Sequence, residues 1–121
     1  MYELHIETEF AAAHFLREYK GKCENLHGHN WKVEVHLRGE KLDRAGLLMD
    51  FHDAKTIING IINRFDHKYL NDTPEFETAN PTTENLSHIL YDEIAAALPE
   101  GVSVARVTCW ESARCGASYY V

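Results

Sequence analysis

Residues 23–38 of this 121-residue chain read CENLHGHNWKVEVHLR, in which two histidines precede an alternating run. From residue 29 onward, apolar and polar side chains alternate, and the apolar face comprises Trp31, Val33, Val35 and Leu37. A period of two is typical of a strand that buries one face. The stretch therefore predicts a half-buried strand that begins beside two histidines, His27 and His29.

A strand with the same period lies upstream, in residues 2–14. Its apolar face comprises Leu4, Ile6, Phe10 and Ala12, and His14 has the same parity. About a dozen residues connect the two strands, which suits an antiparallel pair. In such a pair the end of the first strand lies beside the start of the second. We therefore expect His14 to approach His27 and His29 on the apolar face.

The rest of the chain predicts two helices and a closing hairpin. Residues 47–51 could continue a short strand. Apolar residues recur every three or four positions in residues 51–65 and again in 83–98, which is typical of amphipathic helices. Asp50 can cap the first helix, and Thr82 or Thr83 can cap the second. Residues 102–111 and 115–121 indicate a hairpin. The predicted order is ββααββ, a single α+β domain over residues 1–121, with two helices on one face of a four-stranded antiparallel sheet.

Composition excludes several classes of protein. Twelve basic against 19 acidic residues give a net charge of −7, and no basic cluster marks a nucleic-acid binder. No apolar run reaches the roughly 18–20 residues that cross a bilayer, and the N-terminus lacks a signal-peptide pattern. Three cysteines without a signal peptide argue against a disulfide framework. We expect a cytoplasmic protein that binds a small molecule and neither nucleic acid nor membrane.

The three histidines form a candidate metal site. Histidines at positions i and i+2 of a strand project from one face, so both imidazoles can reach one ion. Three neutral imidazoles that leave one tetrahedral position open describe a catalytic zinc site, and Zn²⁺ is the usual redox-inert choice. Cys23 could close the site as a fourth ligand, which would make the zinc structural, or could act as a free thiolate base or nucleophile. The spacing leaves both roles open.

Two further signals are weaker. Asp66 and His67 stand where the first helix should end, and they could join Cys23 in a thiol–imidazole–carboxylate relay, although residues at helix ends are usually just solvated. Glu111 stands at the end of a predicted strand. Its carboxylate could grip a planar pair of N–H donors in a guanidine-like heterocycle, or it could be an exposed side chain next to a turn.

Taken together, these residues resemble the 6-pyruvoyl-tetrahydropterin synthase family, and specifically its bacterial 6-carboxy-tetrahydropterin synthase branch of queuosine biosynthesis. The resemblance covers nearly the whole chain and rests on FAAAH (10–14), CENLHGH (23–29), MDF (49–51), FDHKYLND (65–72), NPTTEN (80–85) and ES (111–112). The three-residue gap between Cys23 and His27 resembles the carboxy branch, whereas pyruvoyl-forming synthases tend to have a longer gap. Phe65 departs from the leucine that is common at its position.

The resemblance implies a role for each candidate residue. It implies that the zinc ligands are His14, His27 and His29, that Cys23 is the catalytic thiol with Asp66 and His67 as relay partners, and that Glu111 anchors the pterin ring. The implied fold is the tunnelling fold. In that fold three subunits close their sheets into a barrel, and two such rings stack into a homohexamer.

The implied reaction is a zinc-dependent carbon–carbon cleavage. It converts 7,8-dihydroneopterin triphosphate into 6-carboxy-5,6,7,8-tetrahydropterin, acetaldehyde and triphosphate. One alternative is the pyruvoyl-forming sister activity, which eliminates triphosphate without cleaving the side chain. An alternative from another class is a non-catalytic zinc domain whose site is closed by one cysteine and three histidines.

Overall fold

A computed structural model of the chain describes residues 1–18 and 25–121. In chain order, its strands and helices are β1 (Tyr2–His14), β2 (His27–Gly39), α1 (Phe51–Ile62), β3 (Lys68–Tyr69), α2 (Thr83–Ala97), β4 (Ser103–Trp110) and β5 (Gly116–Tyr119). Two short 3₁₀ turns, Leu70–Asp72 and Pro74–Phe76, lie between β3 and α2.

The strands form one mixed sheet in the order β3-β1-β2-β4-β5. β1 pairs antiparallel with β2 along its whole length, from Tyr2 opposite Gly39 to His14 opposite His27. This confirms the pairing that the sequence predicts, with the end of the first strand beside the start of the second. β4 pairs antiparallel with the other edge of β2, and β5 pairs antiparallel with β4.

The prediction of a four-stranded, fully antiparallel sheet in the order ββααββ is wrong in one element. β3 pairs in parallel with Ala12 and Ala13 of β1, so the described sheet has five strands and the order is ββαβαββ. Just before β3, the Asp66 carboxylate accepts a hydrogen bond from the Ala11 amide at 2.9 Å, and the His67 amide donates to the Ala11 carbonyl at 2.6 Å. These two bonds lay the chain along the free edge of β1. A strand of two residues has no period that a sequence pattern could reveal.

Both helices cover one face of the sheet, as predicted. The Asp50 carboxylate caps α1 by accepting from the His52 amide at 2.7 Å, and the Thr82 hydroxyl caps α2 by accepting from the Asn85 amide at 3.0 Å. The core between helices and sheet includes Phe10, Trp31, Val33, Leu37, Ile58, Phe65, Leu86, Leu90 and Ile94, all buried. Burying an apolar side chain of this size contributes about 1.5–3 kcal/mol. Neither helix of the described residues is long and apolar enough to cross a membrane.

The short strand predicted for residues 47–51 is wrong. The Asp43 carboxylate accepts hydrogen bonds from the amides of Ala45 and Leu47, at 2.8 and 3.0 Å. A carboxylate that bonds its own downstream backbone holds the chain in a turn rather than a ladder. The turn leads directly into α1.

Candidate metal centre and active site

Three histidines meet at one end of the β1–β2 pair, on the face that the helices cover. His14 ends β1 opposite His27, and His29 stands opposite Ala12. The centroid of the His14 ring lies 4.7 Å from that of His27 and 5.2 Å from that of His29, while His27 and His29 are 4.7 Å apart. The convergence that strand parity predicts is therefore confirmed.

Hydrogen bonds fix which ring nitrogen of His14 and of His27 carries the proton. His14 Nδ1 lies 2.8 Å from the Pro81 carbonyl oxygen, and His27 Nδ1 lies 2.8 Å from the Asn25 carbonyl oxygen. Because a carbonyl only accepts, both Nδ1 atoms must donate, and Nε2 of each neutral ring then presents a lone pair. These two Nε2 atoms are 3.1 Å apart, where two lone pairs repel unless a cation or a proton lies between them. Metal-binding imidazoles are held by backbone carbonyls in this way.

The third histidine, His29, has a buried ring nitrogen without a hydrogen bond in the described chain. Among the residues that the structure describes, its buried Nε2 has no hydrogen-bond partner. Glu111 Oε1 lies 2.7 Å away, and since the hydrogen-bond geometry is not met we treat this as a charge contact. Burial lowers the pKa of His29, an effect that the Glu111 carboxylate opposes. The shift favours neutral imidazole, which is the form that binds metals.

Glu111, directly after β4, completes the cluster. Its Oε1 lies 3.6 Å from His14 Nε2 and 3.9 Å from His27 Nε2, and the donor atoms of all four side chains lie within 4.8 Å of one another. The hydroxyl of Thr83, the first residue of α2, donates to Glu111 Oε2 at 3.3 Å. Three imidazole nitrogens and one carboxylate oxygen fit a borderline dication such as Zn²⁺. No pattern in the sequence predicts that Glu111 contacts the histidines.

Asp66 and His67 lie at the edge of the sheet, where β3 begins. His67 Nδ1 is 3.1 Å from Asp66 Oδ1, and the His67 side chain is 82% exposed. The Ala11 amide lowers the pKa of Asp66, and His67 lowers it further. His67 and His29 line one open cavity of about 560 Å³. His67 therefore borders a cavity that one of the three histidines also lines.

Cys23 lies outside the described residues, and its role stays a prediction from the sequence.

Two asparagines to which the sequence analysis gave no role hold the chain that leaves β1. The Asn71 amide bonds both the backbone N–H and the carbonyl of Phe15, each at 3.0 Å. The Asn80 amide bonds the same two groups of Arg17, at 2.7 and 3.0 Å. Each side-chain amide thus makes the two hydrogen bonds that a neighbouring strand would make to the same residue. Because Phe15 follows His14 directly, the bonds of Asn71 hold the backbone next to the first histidine in place. An asparagine before a proline is an ordinary turn signal, so the pattern gave no hint of this clamp.

Comparison with known proteins agrees with the geometry. The family model described as 6-pyruvoyl tetrahydropterin synthase matches residues 3–121. A protein of Archaeoglobus fulgidus, provisionally named 6-carboxy-5,6,7,8-tetrahydropterin synthase, is 41% identical over 107 residues, which cover 88% of this chain and 85% of that protein. The 6-carboxy-5,6,7,8-tetrahydropterin synthase of Bacillus subtilis is 35% identical over 102 residues, which cover 80% and 68%. A relative from Pyrococcus furiosus, named dihydroneopterin monophosphate aldolase, is 35% identical over 104 residues, which cover 86% and 84%.

A solved structure shares the fold over nearly the whole chain. The 6-pyruvoyl tetrahydropterin synthase of Caenorhabditis elegans superposes with a TM-score of 0.86 at 27% sequence identity, and the match covers 99% of this chain and 95% of that one. The architecture is therefore the tunnelling fold that the sequence resemblance implies, with a short parallel strand added at one edge. This chain belongs to the 6-pyruvoyl tetrahydropterin synthase family.

Proposed function

We propose that this protein is a zinc-dependent 6-carboxy-5,6,7,8-tetrahydropterin synthase, a carbon–carbon lyase of queuosine and 7-deazaguanine biosynthesis. Its substrate is 7,8-dihydroneopterin triphosphate, and its products are 6-carboxy-5,6,7,8-tetrahydropterin, acetaldehyde and triphosphate. One observation carries the proposal: three imidazole nitrogens and a carboxylate converge at the end of β1 and β2, in a member of a pterin synthase family.

His14, His27 and His29 would hold the metal. Two of their rings are oriented by backbone carbonyls, and the third has a buried nitrogen without a hydrogen bond in the described chain. Placing a dication among these nitrogens relieves both the lone-pair repulsion and the unsatisfied atom. When bound, the ion supplies Lewis acidity to the oxygens of the substrate side chain.

The protein's own residues would move the protons. The Asp66 carboxylate beside His67 Nδ1 holds a proton on that nitrogen, so the other ring nitrogen can take a proton from the substrate. His67 is exposed and borders the same cavity as His29, which leaves room for a substrate between them. Cys23 is the second proton carrier in this proposal, and a neighbouring dication would favour its thiolate.

Glu111 would hold the pterin ring in register. A carboxylate can accept two parallel N–H bonds from a planar guanidine-like edge. Thr83 already holds one oxygen of Glu111, which directs the carboxylate, and a small cavity of about 190 Å³ lies beside both residues. In this proposal Glu111 is not a metal ligand, and its Oε1, which contacts His29, would accept from the ring together with Oε2.

We also propose that the working enzyme is a cytoplasmic homohexamer built as a dimer of trimers. On folding, a chain of this size buries only about two-thirds of the surface that it exposes when unfolded. An enclosed site is therefore easier to build between subunits than within one. The candidate residues lie at a sheet edge and at strand ends, positions from which a neighbouring chain could complete the site.

Product analysis tests the proposed reaction. The zinc-loaded protein is incubated with 7,8-dihydroneopterin triphosphate, and acetaldehyde and the carboxylated pterin are measured. We expect both products in equal amounts. Release of triphosphate with a pyruvoyl product and no acetaldehyde would instead assign the sister activity.

A second candidate function rests on the Pyrococcus furiosus relative, whose name specifies an aldolase acting on dihydroneopterin monophosphate. Supplying the monophosphate and the triphosphate in parallel separates the two candidates. The synthase turns over the triphosphate and releases acetaldehyde, whereas turnover of the monophosphate alone would favour the aldolase.

A further inference from the structure

A second cluster of metal-ligating side chains lies on the opposite face of the β1–β2 pair. His5 and His36 stand directly opposite each other, and Glu3 precedes His5 by two positions on the same face. Glu3 Oε1 lies 3.0 Å from His5 Nε2 and 3.0 Å from His36 Nδ1, so one carboxylate oxygen contacts both rings. The two rings stack with centroids 4.3 Å apart, and the three donor atoms lie within 4.8 Å of one another.

This cluster is separate from the centre described above. His5 and His36 have the parity of the face that the helices leave open, whereas His14 and His29 lie on the covered face. His5 and His14 are nine residues apart on one strand, which is about 30 Å. The two clusters therefore share no ligand and no cavity wall.

A further carboxylate lies next to the cluster. Glu34 Oε2 lies 3.8 Å from His36 Nε2, the ring nitrogen that does not face Glu3. A carboxylate behind an imidazole makes it a better metal ligand. Glu34 also stands opposite Glu7, and Lys32 contacts both, at 3.2 and 3.4 Å. Basic side chains lie on this face as well, since Arg38 stands opposite Glu3 and Arg106 stands opposite His36.

We propose that Glu3, His5 and His36 bind a second divalent ion of the zinc, nickel and copper class, which clasps the two strands on the open face. Ligand atoms about 2.1 Å from a tetrahedral ion lie about 3.4 Å apart, so the two contacts of Glu3 need to open by a few tenths of an ångström. The rings of His5 and His36, which are now stacked, must also turn so that both nitrogens point at the ion. The Glu3 side chain is 44% exposed and that of His5 is 64% exposed. Water can therefore fill the remaining coordination positions.

Counting bound zinc in matched variants tests the proposal. We expect the full chain to hold about two equivalents of Zn²⁺ and His36→Gln to hold about one. His27→Ala/His29→Ala lacks the first site and should also hold about one, while its combination with His36→Gln should hold almost none. His88→Gln is the control, because His88 pairs with Asp92 outside both clusters and should leave the count unchanged.

The proposal fails if His27→Ala/His29→Ala binds no zinc, or if His36→Gln removes none from that background. If His36→Gln misfolds by circular dichroism, His5→Gln provides the same comparison. Acetaldehyde release is expected to be unaffected by either substitution. A protein that makes no acetaldehyde but keeps the predicted zinc counts would therefore overturn the proposed reaction while leaving the second site standing.

Discussion

At the scale of single residues, His29 carries the strongest indication of a metal. Its Nε2 is buried and lacks a hydrogen bond within residues 1–18 and 25–121, although a carboxylate lies 2.7 Å away. Leaving a buried polar atom unsatisfied costs about 1–3 kcal/mol. A ligand role explains why the chain tolerates this cost at the end of an otherwise well-packed strand pair.

Strand parity was enough to predict that the three histidines meet, because β1 and β2 are consecutive and their register follows from their alternation. The contact of Glu111 with the same histidines could not be predicted. It depends on how β4 pairs with β2 across the 63 residues between them, and this register includes a shift near His36. The alternation along a strand does not show where the partner strand carries an extra residue that shifts the register.

Cys23 is the residue whose two possible roles make opposite predictions. If it is a proton carrier, Cys23→Ala should lower turnover by about 10²–10⁴-fold and leave bound zinc unchanged. Cys109→Ala is a matched control, since that thiol is buried in the core. Acetaldehyde release and zinc content are measured on the same preparation. Loss of one zinc equivalent in Cys23→Ala would show that the thiol is a ligand.

Because the pKa of Asp66 is lowered in the folded protein, the contribution of Asp66 to the stability of the fold should depend on pH in a known direction. The Ala11 amide and His67 hold the pKa of Asp66 below its ordinary value of 3.8 in the folded protein. A carboxyl group with a lowered pKa stabilises the fold above its unfolded pKa, and this contribution is lost as the pH falls through the folded pKa. Wild-type protein should therefore be more stable than Asp66→Asn above about pH 4, and the difference should shrink in more acidic solution.

Urea unfolding across this range measures the difference. Asp72→Asn is a useful comparison, because it removes an exposed carboxylate from the turn that follows β3. A stability gap between wild type and Asp66→Asn that widened toward low pH would contradict the account.

At the scale of secondary-structure elements, the long elements could be predicted and the shortest could not. The alternation in β1 and β2 and the three- and four-residue spacing in both helices span enough residues to establish a period. β3 has two residues and is set by the bonds that Asp66 and His67 make to Ala11. Those bonds join residues that are far apart in the sequence, so no local sequence pattern predicts them.

Two adjacent threonines at the start of α2 have different roles. Thr82 caps the helix, whereas Thr83 is buried and donates to Glu111. Thr82→Ala should lower the free energy of unfolding by about 1 kcal/mol and leave KM nearly unchanged. Thr83→Val removes a hydrogen bond to a charged group, so KM should rise by roughly fivefold to tenfold.

Denaturant unfolding and steady-state kinetics on both variants separate the two roles, and each variant is the control for the other. Equal effects of the two substitutions on KM would show that Thr83 does not position Glu111.

At the scale of the whole molecule, the sheet has two chemically different faces. The covered face holds the apolar core and ends in the histidine centre. The open face of β1 and β2 carries charged side chains and the Glu3, His5 and His36 cluster. Period-two alternation predicts this division, because it assigns every residue of a strand to one face or the other. For strands that are far apart in the sequence, such as β2 and β4, it does not predict which side chains meet, because that depends on their register.

The central claim is that His14, His27 and His29 hold the metal on which turnover depends. The most direct measurement is zinc content together with acetaldehyde release in His29→Ala, with His88→Ala as the matched control. We predict that His29→Ala loses about one zinc equivalent and nearly all turnover, while His88→Ala keeps both. A His29→Ala protein that retains its full zinc content and turns over dihydroneopterin triphosphate at the wild-type rate would contradict the account.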